Sequence, residues 1–202
     1  PPPAAQIPQP ELALFGTVLG DQVTFSWLPV SDPEGGIPSY RVQIGTTPGG
    51  SDIFDGTVTA NSKTVTVPFG TTLYARVQQL NAAGIAGAFG GGSTAVVALD
   101  PAADVDGDGQ RNAAEFTAGT DPRSGISVLK IISISRAGAD VSLTAATVSG
   151  KNYRLETRVT LDAGPWTDVG PVVLAIGAST QFVHAGGAGD GKRFYRVRVV
   201  AP

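Results

Sequence analysis

Residues 72–84 read TLYARVQQLNAAG, and residues 39–45 read SYRVQIG. In the second stretch Tyr40, Val42 and Ile44 alternate with Arg41 and Gln43, and Leu73 to Leu80 in the first follows as a further strand. A period of two places one set of side chains on each face of a strand, so both stretches read as half-buried strands. Working outward, Val23-Thr24-Phe25-Ser26-Trp27, Thr64-Val65-Thr66-Val67 and Ser93 to Leu99 have the same character. The segments DPEGG (32–36), TTPGG (46–50) and NAAG (81–84) separate them with turn-forming residues. Short, evenly spaced strands with turns between them indicate a β-sandwich over residues 11–100.

The composition agrees. The chain has 202 residues, room for one large or two small domains, and its 27 glycines and 15 prolines favour turns over helices. No run of 18 apolar residues is present, so no membrane insertion is expected. There is no methionine, even at position 1, so the chain reads as a processed product or a piece of something longer. The absence of cysteine removes disulfide and thiol chemistry. Net charge is −4 over residues 1–100, −3 over 101–125 and +4 over 126–202. The last value is too small and dispersed for a nucleic-acid footprint, and Arg193, Arg196 and Arg198 read as one solvated strand face. The N-terminal PPPAAQIPQP (1–10) reads as a polyproline II linker or arm.

Residues 104–115 read DVDGDGQRNAAE and fill every coordinating position of a twelve-residue calcium loop. Asp104, Asp106 and Asp108 take positions 1, 3 and 5, and Gly109 supplies the turn at 6. Gln110 offers its main-chain carbonyl at 7, Asn112 reaches the ion directly or through water at 9, and Glu115 closes the sphere at 12. Calcium takes six to eight hard oxygens at about 2.4 Å, and carboxylates this close repel one another without a cation. Pro101 to Ala103 leave no room for an entering helix, which argues against a paired EF-hand. Asn112 to Ala118 suit a short exit helix, stopped by Gly119. Asp121, in the trailing GTDP, either adds an oxygen to the ion or braces the turn before Pro122.

A second strand set follows from Ile126: Ser127–Ser135, Asp140–Ala146, Tyr153–Thr160, Val169–Ile176, Thr180–Val183 and Phe194–Val200. The expected fold is therefore all-β, with two β-sandwich domains (11–100 and 126–202) joined by an EF-hand-like calcium loop with one short helix (101–125).

Three resemblances accompany this reading. Trp27, SYRVQIG and TLYARVQQLNAAG resemble a fibronectin type III domain, which implies seven strands in two sheets and places Tyr74 at the family's core tyrosine. The pattern DxDGDGxxNxxEFxxGTDP resembles the single calcium repeats of dockerins and thrombospondin type 3 segments, common in bacterial surface proteins. KNYRLET (151–157), PWTDVG (165–170) and KRFYRVRV (192–199) resemble a C-terminal β-domain found after such repeats in secreted bacterial proteins. By strand position, Trp27, Tyr153, Trp166 and Tyr195 read as core or rim residues.

Catalytic constellations are absent from the sequence. His184 is the single histidine, so zinc lacks partners, and no G-x-S-x-G elbow supports a serine nucleophile. Glu11, Glu34 and Glu156 fall in separate segments, and GGGS at 90–93 lacks the Lys of a phosphate loop. The expectation is a non-catalytic, calcium-stabilised structural module of an extracellular or cell-surface protein, with Ca2+ as its ion. Its expected partners are copies of itself, as in a surface fibre, or neighbouring domains of a longer chain. The alternative is a carbohydrate-binding or anchoring module of a secreted enzyme, with glycans as partners. Millimolar calcium, an extracellular condition, carries the localisation.

Overall fold

A computed structural model describes residues 8–29, 31, 38–189 and 191–200. The DPEGG turn, Glu34 and residues 1–7 of the Pro-rich arm lie outside the described residues. The chain divides into two compact units, residues 1–103 and 104–202. The joining segment expected at 101–125 falls within the second unit from Asp104 onward.

Among the described residues the first unit holds nine strands: β1 (Gln9–Pro10), β2 (Thr17–Leu19), β3 (Gln22–Ser26), β4 (Ser39–Gly45), β5 (Phe54–Val58), β6 (Ser62–Thr66), β7 (Thr72–Leu80), β8 (Ala86–Phe89) and β9 (Val96–Leu99). One sheet runs β1-β3-β6, and the other runs β2-β9-β7-β4-β5 with β8 added to β7. Alternation decides which side chains enter the core. Val23 and Phe25, Tyr40, Val42 and Ile44, and Leu73, Ala75 and Val77 are all buried, and Trp27 meets Tyr40 edge-on at 5.6 Å. At roughly 25 cal/mol for each Å² of apolar surface removed from water, this cluster is the main stabilising term of the unit.

Tyr74 corrects the sequence reading. It lies on the β7 face opposite Leu73, Ala75 and Val77 and is half-buried, so the core tyrosine of this unit is Tyr40. Ser93 is likewise not in β9. Its N–H donates to the Ala75 carbonyl and its Oγ accepts from the Ala75 N–H, both at 2.8 Å, which pins it beside β7 before the strand begins.

In the second unit, helix α1 (Asn112–Ala118) leads to β10 (Ile131–Ala137), β11 (Asp140–Ala146), β12 (Asn152–Arg158), β13 (Thr167–Leu174), β14 (Ser179–His184) and β15 (Phe194–Val200). Its two sheets run β10-β11-β14 and β13-β12-β15. Val141, Leu143, Ala145, Tyr153, Leu155 and Phe182 form the core. Strand β10 starts four residues later than the sequence suggests, because Ser127 belongs to a turn: its N–H donates to Ser124 O and its Oγ accepts from Asp121 N–H.

Tyr153 is fully buried, and its hydroxyl accepts the Val148 N–H at 2.8 Å. Trp166 and Tyr195 are half-buried rim residues. The expected arginine face needs a correction. Arg196 and Arg198 do share a face of β15, but each donates through Nε to buried Glu156 on β12, at 2.5 and 2.9 Å, while Arg193 precedes the strand. Burial alone would raise the Glu156 pKa. The two guanidinium hydrogen bonds and their charges outweigh it and hold the carboxyl below its ordinary value. No helix among the described residues is long and apolar enough to cross a membrane.

Candidate metal centre

The acidic loop is shaped by its own carboxylates. Asp104 accepts the Gly107 N–H at Oδ1 and the Gly109 N–H at Oδ2, both at 2.9 Å. Asp106 Oδ1 accepts from Asp108 N–H at 3.2 Å, and Asp108 Oδ1 accepts from Gln110 N–H at 2.7 Å. The loop winds tightly because Gly107 and Gly109 take φ of 77° and 93°, where a Cβ would clash with the backbone. One oxygen from each of Asp104, Asp106 and Asp108 then lies within 4.8 Å of the others.

Glu115 comes to this cluster from α1. It is fully buried, and burial first, then the charges of Asp106, Asp108 and Asp104, push its pKa up to about 7 against a weaker opposing bond from Thr120. It lies outside the 4.8 Å grouping of the aspartates. Asp106 Oδ2, Asp108 Oδ2 and Glu115 Oε2 are buried without any hydrogen-bond partner. Orphaned buried carboxylate oxygens are costly, and the charges of Asp106 and Asp108 act on Glu115 as well. The aspartate oxygens are spaced for a single oxygen-seeking divalent cation, and Glu115 would have to move toward them to join it; all the donors are of the hard type that calcium takes.

The remaining candidate ligands differ in placement. Asn112 is buried, with Oδ1 accepting the Val105 N–H at 3.3 Å. Gln110 sends its side-chain Nε2 to Leu129 O at 3.4 Å, while the ligand expected from it is the main-chain carbonyl. Asp121 Oδ1 accepts from Arg123 N–H at 3.0 Å, the geometry of a turn brace. Helix α1 closes on Gly119, at φ 77°, whose N–H donates to Glu115 O. The Lys151 Nζ donates to Thr117 O at 3.3 Å, tying the helix end to the loop between β11 and β12. That tie was not foreseeable from the motif, which ends at Glu115.

Elsewhere, His184 Nδ1 lies 2.9 Å from the Tyr195 hydroxyl. The Arg158 and Arg196 guanidiniums sit over the Trp166 ring, 4.6 and 4.4 Å from its centroid.

No family model and no curated protein matches the chain. Solved structures do. The FN1–FN3 domains of chicken CNTN1 match over 98% of this chain and 61% of theirs, at 18% identity and a TM-score of 0.50. This chain therefore spans less than two thirds of that structure's length. The sixth fibronectin type III domain from human fibronectin type III domain containing protein 3 matches over 50% of this chain and 87% of its own, at 22% identity and a TM-score of 0.37. Titin module A71 from human cardiac muscle matches over 48% and 91%, at 24% identity and a TM-score of 0.37. At these identities the likeness shows fold alone, and the first match carries it. The chain is all-β, with tandem β-sandwich units of fibronectin type III-like fold.

Proposed function

We propose that this chain is a non-catalytic structural module whose second unit is completed by one calcium ion, and that it works outside the cell or on its surface. The observation that carries the reading is the set of orphaned oxygens on Asp106, Asp108 and Glu115, beside Asp104 in a loop wound for hard-cation binding. Asp104, Asp106, Asp108 and Glu115 hold the ion through carboxylates, Gln110 through its carbonyl, and Asn112 directly or through water. The ion neutralises a cluster that otherwise repels itself.

Calcium acts here through linkage and not as a signal. An ion that binds only the folded loop stabilises it by about 2.7 kcal/mol at a hundredfold excess over Kd. Because the loop and α1 fall in the second unit, that stabilisation goes to this unit. The aromatic side chains support the structural reading over glycan recognition: Trp27 and Tyr153 are buried, and two guanidiniums occupy the Trp166 ring. Millimolar calcium is an extracellular condition, which supports the location.

Scanning calorimetry in calcium and in excess chelator tests this. A shift of about 2.7 kcal/mol in a domain of this size moves the second-unit transition up by roughly 10–20 °C, with the first-unit transition unmoved. Superimposable scans in calcium and chelator would overturn the reading.

A further inference from the structure

The outer face of the sheet β13-β12-β15 gathers cations that are scattered in the sequence. Tyr153, Leu155 and Val197 point to the core, so the alternate positions point outward: Arg154, Glu156 and Arg158 on β12, Arg196 and Arg198 on β15. Cross-strand register sets Arg198 opposite Arg154 and Arg196 opposite Glu156, with Asp168 of β13 opposite Glu156 on its other side. Four arginines meet two carboxylates on these strands, which leaves two positive charges unmatched. Lys192 adds a third, its Nζ 5.1 Å from the Phe194 ring centroid.

The fold keeps this excess at a cost. Arg154 and Arg198 are like charges directly opposite one another, a destabilising pair on a sheet. Buried Glu156 already accepts one Nε bond from each of Arg196 and Arg198, and Asp168 pairs with Arg154. A guanidinium has five N–H donors. Arg196 and Arg198, both half-exposed, spend one inward on Glu156 and keep others at the surface. A groove of about 350 Å³ between α1 and β15 runs beside them, lined by Gln110, Thr117, Arg196 and Arg198.

These features select the occupant. A small anion in the groove reaches only two of the five cations, whereas a polymer reaches the rest. The centre of a protein interface is depleted of charge, but the centre of this face is Glu156 beneath two arginines. Single-stranded nucleic acid stacks its bases on open rings, and the Trp166 ring already carries Arg158 and Arg196. Duplex binders make on the order of 6–10 phosphate contacts, more than this face supplies. Arginine forks match carboxylates, and the neutral polar groups of Thr117 and Gln110 suit hydroxyls.

We propose that this face binds an acidic polysaccharide, a chain bearing carboxylates along its length, with one sugar seated in the groove beside α1. Its carboxylates take the outward guanidinium donors, and its hydroxyls meet Thr117 and Gln110. Each exposed ion pair is weak alone, and several along one chain act together. The inference goes beyond the structural-module reading by naming a ligand for it. The two fail separately, because a chain that ignores polysaccharide can still bind calcium.

Biolayer interferometry of the full chain on carboxymethyl dextran, uncharged dextran and duplex DNA, in millimolar calcium and about 0.1 M salt, tests it. The expected result is binding to carboxymethyl dextran above both others, weakening as salt rises. Arg198→Gln and Lys192→Glu should each weaken it about threefold or more, and Lys63→Glu, in the first unit, should not. Lys192 is exposed, so its variant keeps the test open if Arg198→Gln melts early. No binding to carboxymethyl dextran, equal binding to uncharged dextran, or DNA bound as tightly overturns the proposal. So does a loss from Lys63→Glu equal to that from Lys192→Glu, since net charge and not this face would then be the cause.

Discussion

Replacing Glu156 by glutamine removes the negative charge that Arg196 and Arg198 share. Glu156 is 4% exposed and accepts one charge-assisted bond from each arginine. Such bonds contribute about 1.5–3 kcal/mol each where both partners are desolvated. The arginine side chains are 45% and 46% exposed, so water recovers much of their loss and the contribution drops by roughly half. The glutamine keeps one carbonyl acceptor but turns an NH2 donor toward a guanidinium. The net expectation for Glu156→Gln is a loss of about 2 kcal/mol, or roughly 8–16 °C in the second-unit transition.

The same carboxyl gives this difference a pH signature. Its folded pKa lies below its ordinary value, so its stabilisation is fully present above the unfolded pKa of about 4.3 and disappears as pH falls through the lower folded value. Urea denaturation of wild type and variant at neutral and acid pH should therefore show a wide gap that closes in acid. A gap under about 0.5 kcal/mol at neutral pH, within the range of ordinary surface substitutions, or a gap of constant size across the pH range, would refute the reasoning.

Three further outcomes follow from single positions. Gly45→Ala would place a Cβ 2.4 Å from Gly50 C and 2.7 Å from Ser51 N, so the first unit should lose about 3 kcal/mol or more in a urea titration. Tyr153→Phe leaves the Val148 N–H without its acceptor and should destabilise the second unit by about 1 kcal/mol in the same assay. Hydrogen bonds from Arg41 and then Gln43 hold the Asp55 pKa at about 2, so carboxyl NMR should show it titrating there and moving toward the ordinary carboxylate range in Arg41→Ala.

Local periodicity made much of this fold readable. Asp140–Ala146, Phe194–Val200 and the helix at Asn112–Ala118 form over the residues their patterns indicate, because each alternates or caps without interruption. Strand β5 (FDGTV) was not legible: Gly56 interrupts its alternation, and it is held by pairing with β4. Tyr74 shows a different limit. The strand was evident, but two apolar residues side by side, Leu73 and Tyr74, leave its inward face undecided until a second sheet covers one of them. Glu156 was invisible as a buried anion because its partners lie 40 and 42 residues away. For the acidic loop, spacing alone nominated the ligands, since the whole constellation is local. Its docking through Lys151 and Leu129 depends on contacts the motif does not contain.

Calorimetric titration of calcium into the chelator-treated chain, beside its Glu115→Gln variant, tests the central claim most directly. The account predicts one ion per chain, bound at least tenfold more weakly by the variant, because a buried carboxylate that closes the coordination sphere has become an amide. It also predicts that the variant melts no lower than wild type in chelator, where burial and the repulsion from Asp106 and Asp108 outweigh the bond that Glu115 accepts from Thr120. No saturable binding by the wild-type chain, or equal binding by both, would contradict a calcium centre built on Asp104, Asp106, Asp108 and Glu115.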